Sequence, residues 1–311
     1  MRCLYCYEEL AENQVDYHKK CSKKIFGTET APELDLSLTE IENYAVDELK
    51  RSISVTGVQP KLSIDLVREK KGPGRLTIVG LWGKYILKPP FTTYPEMPEI
   101  EALTMKIAQE SGIKVAEHSL IKMKSGELAY ISKRFDRTAD DKLHMEDFAQ
   151  ILGVLTERKY SGSVEQVGKH ILKYSSFPGN DLIRLFDLAL FCFLTGNSDM
   201  HLKNFSLLRD EYDDIQLSPA YDLLSTKLLL PEDKEEFAIT INGRKANLRK
   251  GDFNKLAKYL KLNNKILESI YSKYASILTI GEPLITKSFL SQGMKKKYVT
   301  LIKNRLNQIE L

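Results

Sequence analysis

Asp199 and Asn204, with four residues between them in the run Gly196-Asn197-Ser198-Asp199-Met200-His201-Leu202-Lys203-Asn204, constrain this 311-residue chain more than any other feature. The spacing is that of a phosphoryl-transfer loop, in which the aspartate meets an incoming hydroxyl and the asparagine holds magnesium. Downstream, Tyr221-Asp222-Leu223-Leu224-Ser225 supplies a second candidate ligand, Asp222. The apolar runs 205–208 and 215–217 flank a polar turn at 209–214, a pattern that predicts a hairpin returning Asp222 beside Asn204. A polyphosphate needs a magnesium ion held by only one or two protein oxygens, and Asn204 and Asp222 offer them. The competing reading is that Asp and Asn here are turn formers.

The upstream half supplies complementary chemistry. The run 82–88 reads as a strand ending in Lys88 before Pro89-Pro90, which places a cation where phosphate could meet it. Thirteen residues on, Glu101 falls in a helix predicted over 98–109, with Ile100, Leu103 and Ile107 at core spacing and Gly112 past its end. A strand lysine paired with a helix glutamate orients the lysine toward nucleotide phosphates in kinases, although either residue alone is more often solvated. Earlier still, the small-residue loop 52–61 follows a helix predicted over 38–50, which opens with Thr39 and Glu42 as a capping box. Such a loop can lay the backbone and hydroxyls of Ser54, Val55, Thr56 and Gly57 over phosphates, but it matches no standard phosphate-loop pattern.

Seven segments together resemble the HipA family of serine/threonine kinases, the toxins of bacterial toxin–antitoxin systems. They are Ser-Val-Thr-Gly-Val-Gln-Pro-Lys at 54–61, Tyr-Ile-Leu-Lys-Pro-Pro at 85–90, Glu-Ala-Leu-Thr-Met at 101–105, Lys-Arg-Phe-Asp-Arg at 133–137, Glu-Asp-Phe-Ala-Gln-Ile-Leu-Gly at 146–153, the run from Gly196 to Ser206, and Pro-Ala-Tyr-Asp-Leu-Leu-Ser at 219–225. The resemblance implies that Asp199 is the catalytic aspartate, that Asn204 and Asp222 bind Mg, and that Lys88 contacts ATP phosphate. It also implies a hinge in which Lys133 and Phe135 hold adenine through backbone atoms, with Arg134 and Asp136 as ion-pair residues nearby. The implied fold is α+β and two-lobed, protein-kinase-like, with an antiparallel β N-lobe over 36–134 and a helical C-lobe over 135–311.

Two departures from the family pattern carry further expectations. Longer HipA-like chains have an extra subdomain ahead of the phosphate loop, whereas this loop begins at residue 52, so the chain looks like the compact HipT type. That likeness implies a tripartite system, with a small HipS-like protein, a HipB-like helix-turn-helix antitoxin through which DNA is contacted indirectly, and an aminoacyl-tRNA synthetase as protein substrate. HipT-like chains point to the tryptophan enzyme and longer relatives to the glutamate enzyme. Ser52 and Ser54 are similar to the two-serine loop of HipT kinases, and Ser54 aligns with the autophosphorylation serine of longer relatives. A phosphate there adds roughly −1.5 to −2 charges beside a site that must admit a polyanion, so it would switch the kinase off or swing the loop out. Two solvated hydroxyls bending a loop are the alternative.

The other departure is at the N-terminus, where Cys3, Cys6, His18 and Cys21 have the paired chelating spacing of a Cys3His zinc knuckle, predicted over 1–27. A redox pair, or thiols that stay reduced, would use the same residues. Cys192 lies in a helix apolar on nearly every side and reads as core. His201, between Asp199 and Asn204, is suited to bracing the loop and orienting the bound cofactor rather than to proton transfer. Lys203 beside Asn204 could neutralise a transferring phosphate or stay solvated.

Size and charge fit an enzyme. The chain, 42% hydrophobic, can bury a full core, and its net charge of +4 implies no dominant nucleic-acid field. No signal-like start and no long apolar run appears, so a cytoplasmic protein with no membrane partner is expected. Helices are also predicted over 146–155, 163–174 and 181–195 and through 252–311, with a β pair over 236–248 around Asn242-Gly243. Three functions compete: a protein serine/threonine kinase toxin, a small-molecule phosphotransferase, and a non-catalytic nucleotide-binding scaffold of a repressor complex.

Overall fold

The fold was analysed in a computed structural model, which describes all residues except 42, 44–59, 68–72, 80–81 and 139–140. The chain divides into two compact units, one of Met1–Ala102, Ala116–Phe135 and Lys287–Phe289, the other of Leu103–Val115, Asp136–Thr286 and Leu290–Leu311.

The first unit is built on a five-stranded antiparallel sheet. Its strands are β1 (Leu62–Val67), β2 (Arg75–Ile78), β3 (Tyr85–Lys88), β4 (His118–Lys122) and β5 (Leu128–Lys133), ordered β2-β1-β3-β5-β4. Period-two alternation buries Leu62 and Ile64 on β1 and Tyr85 and Leu87 on β3. Lys88 therefore sits at the end of a central strand, in register with Tyr130 of β5. The segment 1–27 carries one helix, α1 (Lys19–Phe26), closed by Gly27 in the left-handed conformation. Ser37 and Glu40 exchange hydrogen bonds as a capping box, with the Ser37 N–H and hydroxyl both donating to the Glu40 carboxylate. Glu42 of the predicted box, with most of the helix predicted over 38–50, lies outside the described residues. The serine-containing segment, with Ser52, Ser54, Val55, Thr56 and Gly57, lies outside the described residues.

A long helix, α2 (Met97–Glu110), follows β3 and ends at Gly112 with φ +84°, close to its predicted span. Ile100 packs into the first unit, and Leu103 and Ile107 into the second, all fully buried. In its first turn Glu99 is buried enough that its carboxyl is pushed up from 4.5 to about 7, with Glu96 adding repulsion. Between those values the folded chain binds more protons than the unfolded one, so stability falls as pH rises through the interval. Glu99→Gln is expected to raise the melting temperature at pH 8, by up to about 3 kcal/mol of stability, and to leave it unchanged at pH 4. Paired thermal melts at the two pH values check this.

The second unit is mostly helical. Its small sheet, β6 (Met145–Asp147), β7 (Ser206–Arg209) and β8 (Ile215–Leu217), is antiparallel, and β7 and β8 are the predicted hairpin, with Leu207 opposite Leu217. The helix predicted over 146–155 is instead strand β6 followed by one turn, α3 (Phe148–Ile151). Pairing of 145–147 with β7 overrides helical propensity there, and Asp147 and Gln150 then form a capping box. Next come α4 (Val164–Tyr174) and α5 (Pro178–Thr195). Around Asn242-Gly243 the predicted β pair is reduced to the bridge Ile241–Arg244 and the Glu236 and Phe237 N–H bonds to Lys245 O, while Thr240 bridges Ser163. Four helices, α6 (Thr226–Leu229), α7 (Lys250–Tyr259), α8 (Asn264–Ala275) and α9 (Ile277–Lys287), lead to the last, α10 (Gln292–Gln308).

Helix α5 is the core of this unit. Phe186, Phe191, Cys192 and Phe193 are fully buried, as expected of a helix apolar on all sides. Each phenylalanine contributes roughly 1.5–3 kcal/mol of burial. The helix stops at Gly196, whose φ of +72° and lack of Cβ are both needed: a Cβ would lie 2.7 Å from Leu301 Cδ2. That stop fixes where the loop carrying Asp199 begins.

Candidate functional site

The loop after Gly196 is folded around the backbone of Asp199. Its carbonyl accepts the His201 N–H at 2.8 Å and the Asn204 side-chain Nδ2–H at 3.1 Å, while its own N–H donates to Asn197 Oδ1. Ser198 anchors the loop on Thr226 and Asp233. Because the carboxamide nitrogen of Asn204 is spent internally, Oδ1 is the atom it retains as an acceptor, an oxygen suited to a hard cation. A glutamine or leucine there could not make the same turn-closing bond.

Tyr221 explains how Asp222 returns to this loop. Its hydroxyl donates to Lys203 O at 2.9 Å and bonds Ser206 Oγ at 2.6 Å, the residues on either side of the Asn204–Phe205 pair. Ser218 N–H also donates to Ser206 O. Burial pushes the Tyr221 hydroxyl far up, so it stays a protonated donor. Asp222 follows directly in the left-handed region, φ +60°, a conformation costing a non-glycine residue about 1 kcal/mol.

The Asp199 side chain is 48% exposed. Its Oδ1 accepts the Tyr160 hydroxyl at 2.8 Å, and its Oδ2 lies 4.0 Å from His201 Nε2. The Tyr160 and His201 rings meet edge to face with centroids 5.3 Å apart. Burial lowers the His201 pKa below 6.5, against the opposite pull of Asp199 and Asp222. The His201 backbone N–H, donating to Asp199 O, closes the turn of the loop.

Tyr160 was not legible in the sequence. It stands 39 residues before Asp199, in an irregular stretch after a short helical turn, Thr156–Arg158, and reaches the loop because Leu202 N–H donates to Lys159 O. Its hydroxyl holds the Asp199 carboxylate in one orientation. Tyr160→Phe is expected to lower the rate of label transfer about tenfold while leaving the KM for ATP unchanged. An unchanged rate would mean that Tyr160 only packs.

In the first unit, Lys88 Nζ lies 2.5 Å from Glu101 Oε1, with both side chains almost wholly buried. The Tyr130 ring stands 5.3 Å from Nζ, a cation–π partner the sequence did not signal. The predicted pair is thus brought together. Lys133 ends β5, exposed, with its N–H donating to Glu117 O, and Phe135 closes the unit's second segment. Arg134 N–H donates to Lys84 O, and Asp136, in the other unit, pairs with Arg137 at 2.6 Å.

At the N-terminus the ligand atoms of Cys3, Cys6, His18 and Cys21 all lie within 4.8 Å of one another. A hydrogen bond from Cys6 holds the Cys3 thiol down to about 4, while Cys6 and Cys21 are pushed up, by the shared proton and by burial respectively.

Comparison with known proteins follows the same lines. Residues 53–279 match the HipA-like C-terminal domain. A putative kinase of Sinorhizobium fredii is 35% identical over 256 residues, 78% of this chain and 60% of that protein. A putative kinase of Haemophilus influenzae is 28% identical over 84% of this chain and 82% of its own length. The serine/threonine-protein kinase toxin HipA of Shewanella oneidensis is 30% identical over 60% of this chain and 46% of its own length. The chain thus spans about half to four-fifths of the curated relatives it matches. Among solved structures, Shewanella oneidensis HipA, in complex with HipB and operator DNA, superposes with TM-score 0.68 at 20% identity, covering 86% of this chain and 70% of that one. The Helicobacter pylori proinflammatory kinase CtkA superposes with TM-score 0.52 at 20% identity, covering 72% and 87%. The shared feature is a mixed fold of helices around an antiparallel sheet.

Proposed function

Since the chain belongs to the HipA-like C-terminal domain family, we propose that it is an ATP- and magnesium-dependent protein serine/threonine kinase that arrests growth as a toxin. The observation that supports this reading is the way Asn204 is turned: its nitrogen is tied to Asp199 O, which leaves its oxygen to join the Asp222 carboxylate as the two oxygens that would hold a Mg–nucleotide. Magnesium, when bound there, neutralises phosphate charge. The chain's own residues do the rest. Asp199, its carboxylate half exposed, orients the substrate hydroxyl and takes its proton as the new phosphorus–oxygen bond forms and the bond from the γ-phosphorus to the departing ADP breaks. Lys88, held by Glu101, binds the nucleotide phosphates, and Lys133 and Phe135 offer backbone atoms to adenine. The loop with Ser54, Val55, Thr56 and Gly57 covers the phosphates, and phosphorylation of Ser52 or Ser54 regulates their access.

Relatives named as putative kinases and as a kinase toxin support the reaction class. The structural neighbour bound to HipB and operator DNA supports a HipB-like antitoxin partner, with DNA contacted through it. We extend this to the compact HipT arrangement with a HipS-like third protein, and to an aminoacyl-tRNA synthetase, the tryptophan enzyme before the glutamate enzyme, as target. Among the described residues no helix is long and apolar enough to cross a membrane.

Incubation of the purified chain with radiolabelled ATP and a cell extract tests the reading. Label in a macromolecular protein band, absent with Asp199→Asn, is the expected result. Label confined to a small solute would replace it with a small-molecule phosphotransferase, and no label at all would leave only a nucleotide-binding scaffold.

A further inference from the structure

We propose that Cys3, Cys6, His18 and Cys21 bind one zinc ion, and that this ion clasps the N-terminal segment onto the outer edge of the five-stranded sheet. The inference stands apart from the kinase reading and uses none of its residues.

Geometry is the first support. A tetrahedral zinc with three thiolates and one imidazole sets sulfur–sulfur edges of about 3.8 Å and sulfur–nitrogen edges of about 3.5 Å. Cys6 Sγ lies 3.3 Å and Cys21 Sγ 3.8 Å from His18 Nδ1. Four ligand atoms from two separate stretches of chain are therefore already gathered within 4.8 Å of one another, and none of the cysteines is in a disulfide. The Cys-x-x-Cys pair is shaped for it: Tyr7 N–H donates to Cys3 O, Cys3 N–H donates to Glu8 O, and Tyr7 takes φ +65°, a turn that brings both sulfurs to one side. Cys21 enters from the first turn of α1, where its N–H bonds His18 O.

The state of His18 is a second, independent support. Its Nε2 lies 3.0 Å from the carbonyl oxygen of Glu9, which can only accept, so Nε2 carries the proton and the Nδ1 lone pair faces the sulfurs. A ligating histidine characteristically gives its other ring N–H to a carbonyl or carboxylate in this way. A redox pair of Cys3 and Cys6 has no use for that arrangement or for Cys21.

What the ion would hold in place is visible in the sheet. Strand β4 is an edge strand, whose outward backbone groups would otherwise be open to pairing with another chain. The N-terminal segment covers it. Leu120 N–H donates to Leu4 O at 3.3 Å, the Tyr17 hydroxyl donates to Leu120 O, and the Tyr5 hydroxyl donates to Glu117 at 2.8 Å. Leu4 and Tyr17 neighbour Cys3 and His18, so the ligands and the edge contacts alternate along the same short segment. With a single eight-residue helix this segment has little core of its own, and metal binding would supply the free energy that orders it.

The test uses the full chain purified without chelator. The expected results are one zinc per chain by elemental analysis, and, on cobalt(II) exchange, the intense visible absorption of a tetrahedral thiolate site. His18→Ala should lose the metal, His18→Cys should keep it, and Cys192→Ser should leave it unaffected. Removal of the metal should lower the melting temperature and speed hydrogen exchange in 118–122. A folded chain that carries no zinc and takes up no cobalt overturns the site. Retention of the metal with exchange in 118–122 indifferent to its removal overturns the clasp.

Discussion

Asp199→Asn is expected to leave a fully folded protein whose phosphotransfer is slower by about 10³-fold, the usual loss when a positioned base is removed. The carboxamide has the shape of the carboxylate and keeps an oxygen for the Tyr160 hydroxyl, so the loop's packing survives. The backbone carbonyl that receives His201 and Asn204 is untouched. What disappears is the negative charge and the capacity to take a proton. Asp222 gives a different signature. Asp222→Ala should also stop turnover, but by weakening Mg–ATP binding, and it should cost about 1 kcal/mol of stability because alanine lacks aspartate's tolerance of φ +60°. Asp222→Gly should restore the stability and not the activity, since glycine takes that backbone freely while offering no ligand. Calorimetric titration with a non-hydrolysable ATP analogue and magnesium, alongside thermal melts, separates these effects. Full activity in either Asp199→Asn or Asp222→Ala would remove the basis of the proposed function.

The features legible in the sequence were those set by short-range chemistry. The Asp199–Asn204 spacing, the hairpin between Asn204 and Asp222, the glycine stop at Gly112 and the paired Cys/His spacing each depend on residues close in the chain, where turn geometry and alternation decide the outcome. Lys88 and Glu101 are thirteen residues apart but fall at the end of a strand and in the first turns of the next helix, so their pairing could be anticipated from order alone. The misses have one cause. The stretch 146–155 reads as helix by composition, and the strand at its start exists only because β7 is there to pair with it. Tyr160, Tyr221 and Tyr130 act through their hydroxyls or ring face on groups far away or across a strand pair, and a tyrosine carries no local mark of such a role. The serine-rich stretch, where sequence reasoning placed the phosphate loop, lies outside the described residues, so its part in the site rests on the resemblance.

The buried ion pair offers the sharpest separation of stability from function. Lys88 and Glu101 are 6% and 1% exposed in their side chains, so each has given up its hydration for the other and, in the case of Lys88, for the face of Tyr130. Such a pair roughly breaks even against apolar residues of the same size, yet removing one member strands an uncompensated charge. Glu101→Ala is therefore expected to destabilise the protein by about 3–5 kcal/mol, and Lys88→Met to cost less only so far as Glu101 can be protonated in place. The double replacement Lys88→Met with Glu101→Leu should recover most of that stability while leaving phosphotransfer absent. Urea denaturation of the four proteins gives the stabilities, and label transfer from ATP gives the activity. If the double variant is as unstable as Glu101→Ala, the pair is holding the fold together. If instead it is stable and inactive, the cost of burying two charges at the end of β3 has been retained for the nucleotide, and the lysine's place in the reaction follows from the energetics of its own burial.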